Sequence, residues 1–289
     1  MKHFLLTVFL LGFLIPGVAA AQDQVLIASG PSASSSLSFM LPADTGSMPI
    51  SAMGMMPASN QPVPSLDAPV SLPRMAPELA LRTYEHRSAL QMAELVSYSA
   101  TTVIRAELPD SSQHGEYELQ RHYSAPRTLE FKAVHFEGDN FVKSNVITRL
   151  LQSEVEHVQK DDTSLNALSE SNYKFSFKGT GPMEGHLVHV YQVKPRKKRV
   201  GLIKGRIFLD AYTGSLVRVE GTPVKSPSFF VKKLEFLQDY ANFGAFTFPV
   251  RTHSEAKARI VGRTVVDIYQ RDYQPVANTE QAAQQVPAP

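Results

Sequence analysis

No cysteine occurs among the 289 residues. Disulfides, thiolate metal sites and lipidation through a lipobox cysteine are therefore excluded. Tryptophan is absent too. So is an excess of either charge: 29 Lys and Arg against 27 Asp and Glu leave a formal +2, which gives no global electrostatic case for nucleic acid. The nucleophile elbow G-x-S-x-G, the zinc motif H-E-x-x-H and the phosphate-binding G-x-x-x-x-G-K are all missing.

Long apolar runs are scarce, and the one that exists opens the chain. In MKHFLLTVFLLGFLIPGVAAAQ, Lys2 supplies a positive start. Phe4 to Ile15 is the apolar stretch, Pro16 breaks it, and Ala19-Ala20-Ala21 offers small residues for cleavage. This pattern predicts a secretory signal peptide over 1–21, cut after Ala21, and a periplasmic mature protein. The alternative, a retained anchor, is disfavoured by the shortness of the run. Without disulfides, the exported chain must rely on its own core.

Residues 22–76 are rich in Ser, Pro and Ala, with no sustained apolar period. Too little apolar surface is available to offset ordering entropy, so disorder is expected. The methionine cluster SMPISAMGMM suits either a soft metal or an adaptable linker, and no His or Cys accompanies it. The tail 274–289 reads as a second weakly ordered end.

The folded region is expected over 77–273. Pro77 suits a first helical turn, with Glu78 near the positive end of the helix dipole. A strand follows, with Tyr98, Ala100, Thr102, Ile104, Ala106 and Leu108 on one parity. Two more strands follow, one with Tyr117, Leu119 and Tyr123 on one face, the other with Leu129, Phe131 and Ala133. The other face of the latter also turns apolar at Val134 and Phe136. A second helix, capped by Asp139 or Asn140, carries the stripe Ile147, Leu150, Leu151, Val155 and Val158. The rest reads as strands. About ten strands and two main helices predict an α+β fold with one large curved antiparallel sheet.

Candidate chemistry is thin. His186 and His189 are three apart in one strand and point to opposite faces, so they cannot share a metal. No cofactor and no metal site is expected. Lys194, Arg196, Lys197, Lys198 and Arg199 form the run KPRKKR. It is either an anion contact (a lipid headgroup, a surface glycan or an acidic partner) or a solvated loop that discourages edge pairing. Apolar residues recur on one face of several strands. Tyr98, Ile104, Tyr117, Leu119, Phe131, Phe175, Phe177, Leu209, Phe246 and Phe248 line either a closed core or an apolar cavity fit for an acyl chain.

One stretch carries more information: GRIFLDAYTGSLVRVEG, from Gly205 to Gly221. Asp210, Tyr212 and Thr213 suggest chemistry or a hairpin turn, and Gly214 favours the turn. With Leu209, Asp210, Thr213, Gly214 and Arg218, it resembles the LolA-like group of exported proteins. That group includes outer-membrane lipoprotein-sorting proteins and RseB-type sensor domains. The resemblance covers about Glu78 to Tyr273. It implies an incomplete antiparallel barrel lidded by helices over a cavity that binds acyl chains, and no catalysis. It implies a lipid or lipoprotein as partner, or an envelope protein partner in the sensor-like alternative. Nucleic acid is not expected, and peripheral membrane contact is compatible with the basic run.

Overall fold

The computed structural model describes residues 73–160, 165–226, 231–259 and 261–278. The expected signal peptide, residues 22–72 with their methionine cluster, and residues 279–289 lie outside the described residues. Helix α1 (Pro77–Glu94) is followed by β1 (Leu95–Leu108), β2 (Gln113–Ser124) and β3 (Thr128–Gly138). A helical run comes next: α2 (Asn140–Val142), a π turn (Lys143–Ile147) and α3 (Thr148–Lys160). Seven strands complete the fold: β4 (Tyr173–Met183), β5 (His186–Pro195), β6 (Ile203–Asp210), β7 (Leu216–Pro223), β8 (Val231–Phe243), β9 (Phe246–Ala258) and β10 (Gly262–Ala277).

All ten strands join one sheet in the order β3-β2-β1-β10-β9-β8-β7-β6-β5-β4. Each neighbouring pair is antiparallel. The sheet does not close; β3 and β4 are its two edges. The α+β expectation of about ten strands and two helical segments holds.

Local sequence explains the faces. In β1 the predicted parity is buried throughout, from Tyr98 to Leu108. In β3 the parity switches because Val134 is an extra residue. Glu118 faces His135, whereas Leu119 faces Ala133. Val134 is left exposed, and Phe136 returns to meet Tyr117 edge-on at 5.5 Å. This bulge accounts for the apolar residues on both parities.

The structure corrects two boundaries. The tail was expected from residue 274, yet β10 continues to Ala277, with Tyr98 opposite Pro275 and Leu95 opposite Ala277. The start of β1 needs hydrogen-bond partners, and these residues supply them. At the other end, the Met75 N–H donates to the Ala211 carbonyl at 2.8 Å, so order begins before Pro77. Asp139 takes the expected N-cap position, and its carbonyl accepts from the Lys143 N–H at 3.0 Å. Its side chain caps no helix N–H; Oδ2 accepts instead from the His114 N–H at 2.9 Å. The β2–β3 hairpin takes that carboxylate for its own orphan donor.

Three large buried clusters form most of the core. One joins Ile104, Leu119, Val146, Ile147 and Ile268. A second lies under α1 and includes Tyr84, Tyr173, Ile207 and Leu209. The third joins Tyr98, Tyr123, Val158, Phe248 and Tyr273. No helix among the described residues is long and apolar enough to cross a membrane.

Gly205 and Gly221 face each other across β6 and β7. A Cβ at Gly205 would run into the Glu220 carbonyl and lie 2.7 Å from the Gly221 Cα. These are backbone atoms and cannot swing aside. Gly205→Ala is expected to cost about 3 kcal/mol, lowering the thermal midpoint by roughly 6–12 °C. Calorimetry checks this, and an unchanged midpoint contradicts it.

Candidate functional site

The Asp210–Arg218 hairpin comes first because its polar residues suggested chemistry. Asp210 Oδ1 accepts from the Tyr212 N–H at 3.0 Å, the Thr213 N–H at 2.9 Å and the Thr213 hydroxyl at 2.9 Å. Its Oδ2 lies 3.1 Å from His186 Nδ1. Burial alone would raise the Asp210 pKa, but the hydrogen bonds from His186, Thr213 and Tyr212 hold it below the usual carboxylate value. Gly214 has φ +67°, and a Cβ there would lie 2.9 Å from Thr83 Cβ and 3.0 Å from the Ala80 carbonyl. The turn therefore packs directly on α1. On β7, Arg218 donates to Asp239 at 2.5 Å and to both Glu184 oxygens at 2.8 and 2.9 Å. The polar residues of this stretch form a turn and a strand tie.

The expected cavity residues do not meet in one place. Ile104 and Leu119 belong to the first cluster, with Tyr117 packed against it, and Phe131 packs against both the first and the third. Leu209 belongs to the second, with Phe175 beside it. Tyr98, Phe246 and Phe248 belong to the third. Phe177 stands on edge strand β4 and is 45 % exposed, against the rings of His189 and Tyr191. A cleft of about 330 Å³, counting the part open to solvent, lies between α1 and the sheet and is lined by Tyr84, Arg87, Gln91, Ser215, Tyr240 and Thr247. The enclosed part of that space is only about 20 Å³, room for little more than one water and well short of a ligand-sized pocket.

The basic run divides. Arg196 donates through Nε to the Glu170 carbonyl at 2.6 Å, and Arg199 through Nη2 to Asn172 Oδ1 at 2.9 Å. Lys194, Lys197 and Lys198 are exposed. His186 and His189 separate as expected: His186 is exposed beside Asp210, and His189 is 1 % exposed. His189 bridges Thr180 Oγ1 at 2.7 Å and the Met75 carbonyl at 3.0 Å. Among the described residues, no three His, Asp or Glu side chains are grouped to hold a metal ion.

Sequence reading missed Arg121. It sits on β2 between Leu119 and Tyr123, on the inward parity, and is 6 % exposed. Its Nη1 lies 2.7 Å from Glu154 Oε1 on α3, and its Nε donates to Tyr98 Oη at 2.8 Å. The guanidinium also lies over the Tyr98 and Phe131 rings, at 5.8 and 5.4 Å. Burial alone would lower the Arg121 pKa; the Glu154 carboxylate, together with Tyr98 and Tyr273, outweighs it and raises the pKa. The signal was present: a cation at an inward position, and Glu154 beside the predicted apolar stripe.

No family model matches the chain, and no curated protein matches it. Solved structures do resemble it. A LolA superfamily protein from Nitrosomonas europaea is 10 % identical, with 69 % of this chain and 93 % of that chain covered and a TM-score of 0.35. A domain described as an outer membrane lipoprotein-sorting protein, from Vibrio parahaemolyticus, is 13 % identical over 68 % and 92 %, with a TM-score of 0.34. MucB is 12 % identical over 71 % and 96 %, with a TM-score of 0.25.

Two outcomes are expected. Glu154→Ala leaves Arg121 buried and unpaired, so stability falls by about 3–5 kcal/mol, whereas Arg121→Met with Glu154→Leu recovers most of it. Urea unfolding of the three variants checks this. For Asp210, the folded pKa is depressed, so its contribution is full above the unfolded value and is lost as pH falls through the folded value. The stability gap between the wild type and Asp210→Ala should be constant near neutral pH and shrink below about pH 4. A gap that does not change with pH contradicts the assignment.

Proposed function

We propose that the chain is an exported, non-enzymatic interaction module of the cell envelope, acting in the periplasm on a protein or acylated partner. One observation supports this reading above the others. Tyr98, Ile104, Leu119, Leu209, Phe246 and Phe248 are each at most 5 % exposed and are divided among three packed clusters. Apolar area already removed from water by packing gives little further gain to an acyl chain. Partner contact then falls to the surface. The commitment of Asp210, Thr213 and Arg218 to holding the hairpin supports a binding role over a hydrolase.

A lipid or lipoprotein carrier, which the LolA-like resemblance implies, is the second reading. It is favoured by the rings under α3. Tyr98 stacks on Tyr123 at 5.4 Å, and Phe248 stacks on Tyr273 at 4.5 Å. An acyl chain could take the place of Val155 and Val158 above them.

Native mass spectrometry of protein released gently from the periplasm separates the two. The module predicts a mature chain starting at Gln22 with no lipid mass attached. A stoichiometric lipid mass would favour the carrier and sink the module.

A further inference from the structure

One charged surface stands apart from the rest of the outer sheet face. Lys174 on β4 lies directly opposite Lys194 on β5. Val193 faces Gly205, so one step further along Lys194 comes beside Lys204 of β6. Tyr173, Val193 and Ile203 are buried, and the three lysines next to them are exposed on the outer face. Neighbouring strands are about 4.8 Å apart, so three like charges stand in a row that opposes folding. Among the described residues none of the three pairs with a carboxylate. Elsewhere on the sheet Arg206, Arg218 and Arg105 each face a carboxylate in register, Glu220, Asp239 and Glu116. Lys233, Lys257 and Arg263 also stand opposite one another, but the outer two of that row pair with Glu235 and Glu255.

Edge protection does not account for the row. A lysine on edge strand β4 discourages sheet-to-sheet pairing, but β5 and β6 are interior strands. The adjoining β5–β6 loop adds Lys197 and Lys198, and it is held in place. Arg196 and Arg199 fasten it to the segment before β4, and the Arg196 N–H donates to the Asn172 carbonyl at 2.7 Å. The same tip exposes two apolar side chains, Val200 at 38 % and Leu165 at 48 %. Their loops touch: a Cβ on Gly201 would lie 2.6 Å from Asn166 Oδ1. Among the described residues, Glu170 is an exposed acid beside this loop.

We propose that this tip is a docking surface for an anionic phospholipid bilayer, with the lysines on headgroup phosphates and Val200 and Leu165 at the acyl boundary. Lysines next to exposed apolar residues match such a surface in both charge and polarity. A soluble polyanion would engage the charge and leave Val200 and Leu165 in water. The proposal goes beyond the module reading and does not depend on it, because the tip is separate from the three interior clusters.

Co-sedimentation of the mature chain with vesicles tests it, using phosphatidylglycerol mixed with phosphatidylethanolamine against phosphatidylcholine alone. Binding is expected to the anionic vesicles only and to weaken at high salt. Each lysine near such a surface contributes about fivefold, so Lys197→Gln with Lys198→Gln should lower the partition coefficient about 25-fold. Lys194→Gln with Lys204→Gln should do the same from the sheet side, and Val200→Ser should lower it by a smaller factor. Circular dichroism confirms that these surface variants fold. Lack of binding to anionic vesicles, or binding unchanged in both lysine pairs, overturns the proposal. Equal binding of wild type and Val200→Ser, with equal capture by inorganic polyphosphate, replaces the bilayer with a soluble polyanion. Native mass spectrometry reads the interior and vesicle binding reads the tip, so either reading can fail without the other.

Discussion

The β1–β10 ladder is the constraint on which the rest of this fold depends. The chain makes two meanders, β1–β3 and β4–β10, with the helical run between them. Neither meander alone can cover that run. The ladder sets Ile104 opposite Ile268 and Ala106 opposite Val266. These residues then share one cluster with Val146 and Ile147 from the π turn. The helical run is thus packed by both meanders at once. Because the ladder joins the ends of the folded chain, its loop-closure entropy must be met before the packing rewards it.

Polar groups do much of the remaining positioning. Helix α1 buries little beyond Ala80, Tyr84 and Gln91. Its hold on the sheet comes from side chains that behave like backbone. Gln91 donates to the Thr247 carbonyl at 3.1 Å and accepts from the Thr247 N–H at 2.8 Å, as a neighbouring strand would. Tyr191 donates to the Pro77 carbonyl at 2.6 Å, and Glu85 accepts from the Glu170 N–H at 2.7 Å. Each bond adds only about 1 kcal/mol net, but leaving its buried partner unmade costs more. Arg121 and Glu154 follow the same asymmetry under α3, at higher stakes because both carry charge.

This division decides what the sequence could tell. Alternation made β1 and β2 legible, since a half-buried strand writes its two faces into its residues. The turn at Asp210 and Gly214 was legible for the same local reason. Arg121, Gln91 and His189 were not, because each is a polar residue whose partner lies elsewhere along the chain; alternation puts Arg121 and His189 on inward parities but does not name what satisfies them there. Asp139 failed in the opposite direction. Its position fits a helix cap, but a strand N–H in β2 competed for the same carboxylate and won. The end of β10 was missed because Pro275 in a polar stretch reads as a terminus, although its partner Tyr98 fixes it in the sheet. As for the aromatic faces, alternation placed them inward but could not say whether they meet. Membership of three clusters is a property of the register between strands, which no single strand encodes.

The basic run shows the same limit in its sharpest form. KPRKKR contains five cations that look equivalent in sequence. In the fold the two arginines bond to a carbonyl and an amide, because a planar guanidinium satisfies fixed acceptors well. The lysines extend to solvent. Two further lysines, Lys174 and Lys204, join them from neighbouring strands through register alone. The electrostatic surface is therefore a different set of five from the one the run spells out. Its members come from three strands and a loop, and the arginines that seemed most suited to an anion serve to hold that loop still. A charge run read from sequence marks where a surface is, while the pairing of strands decides which charges belong to it.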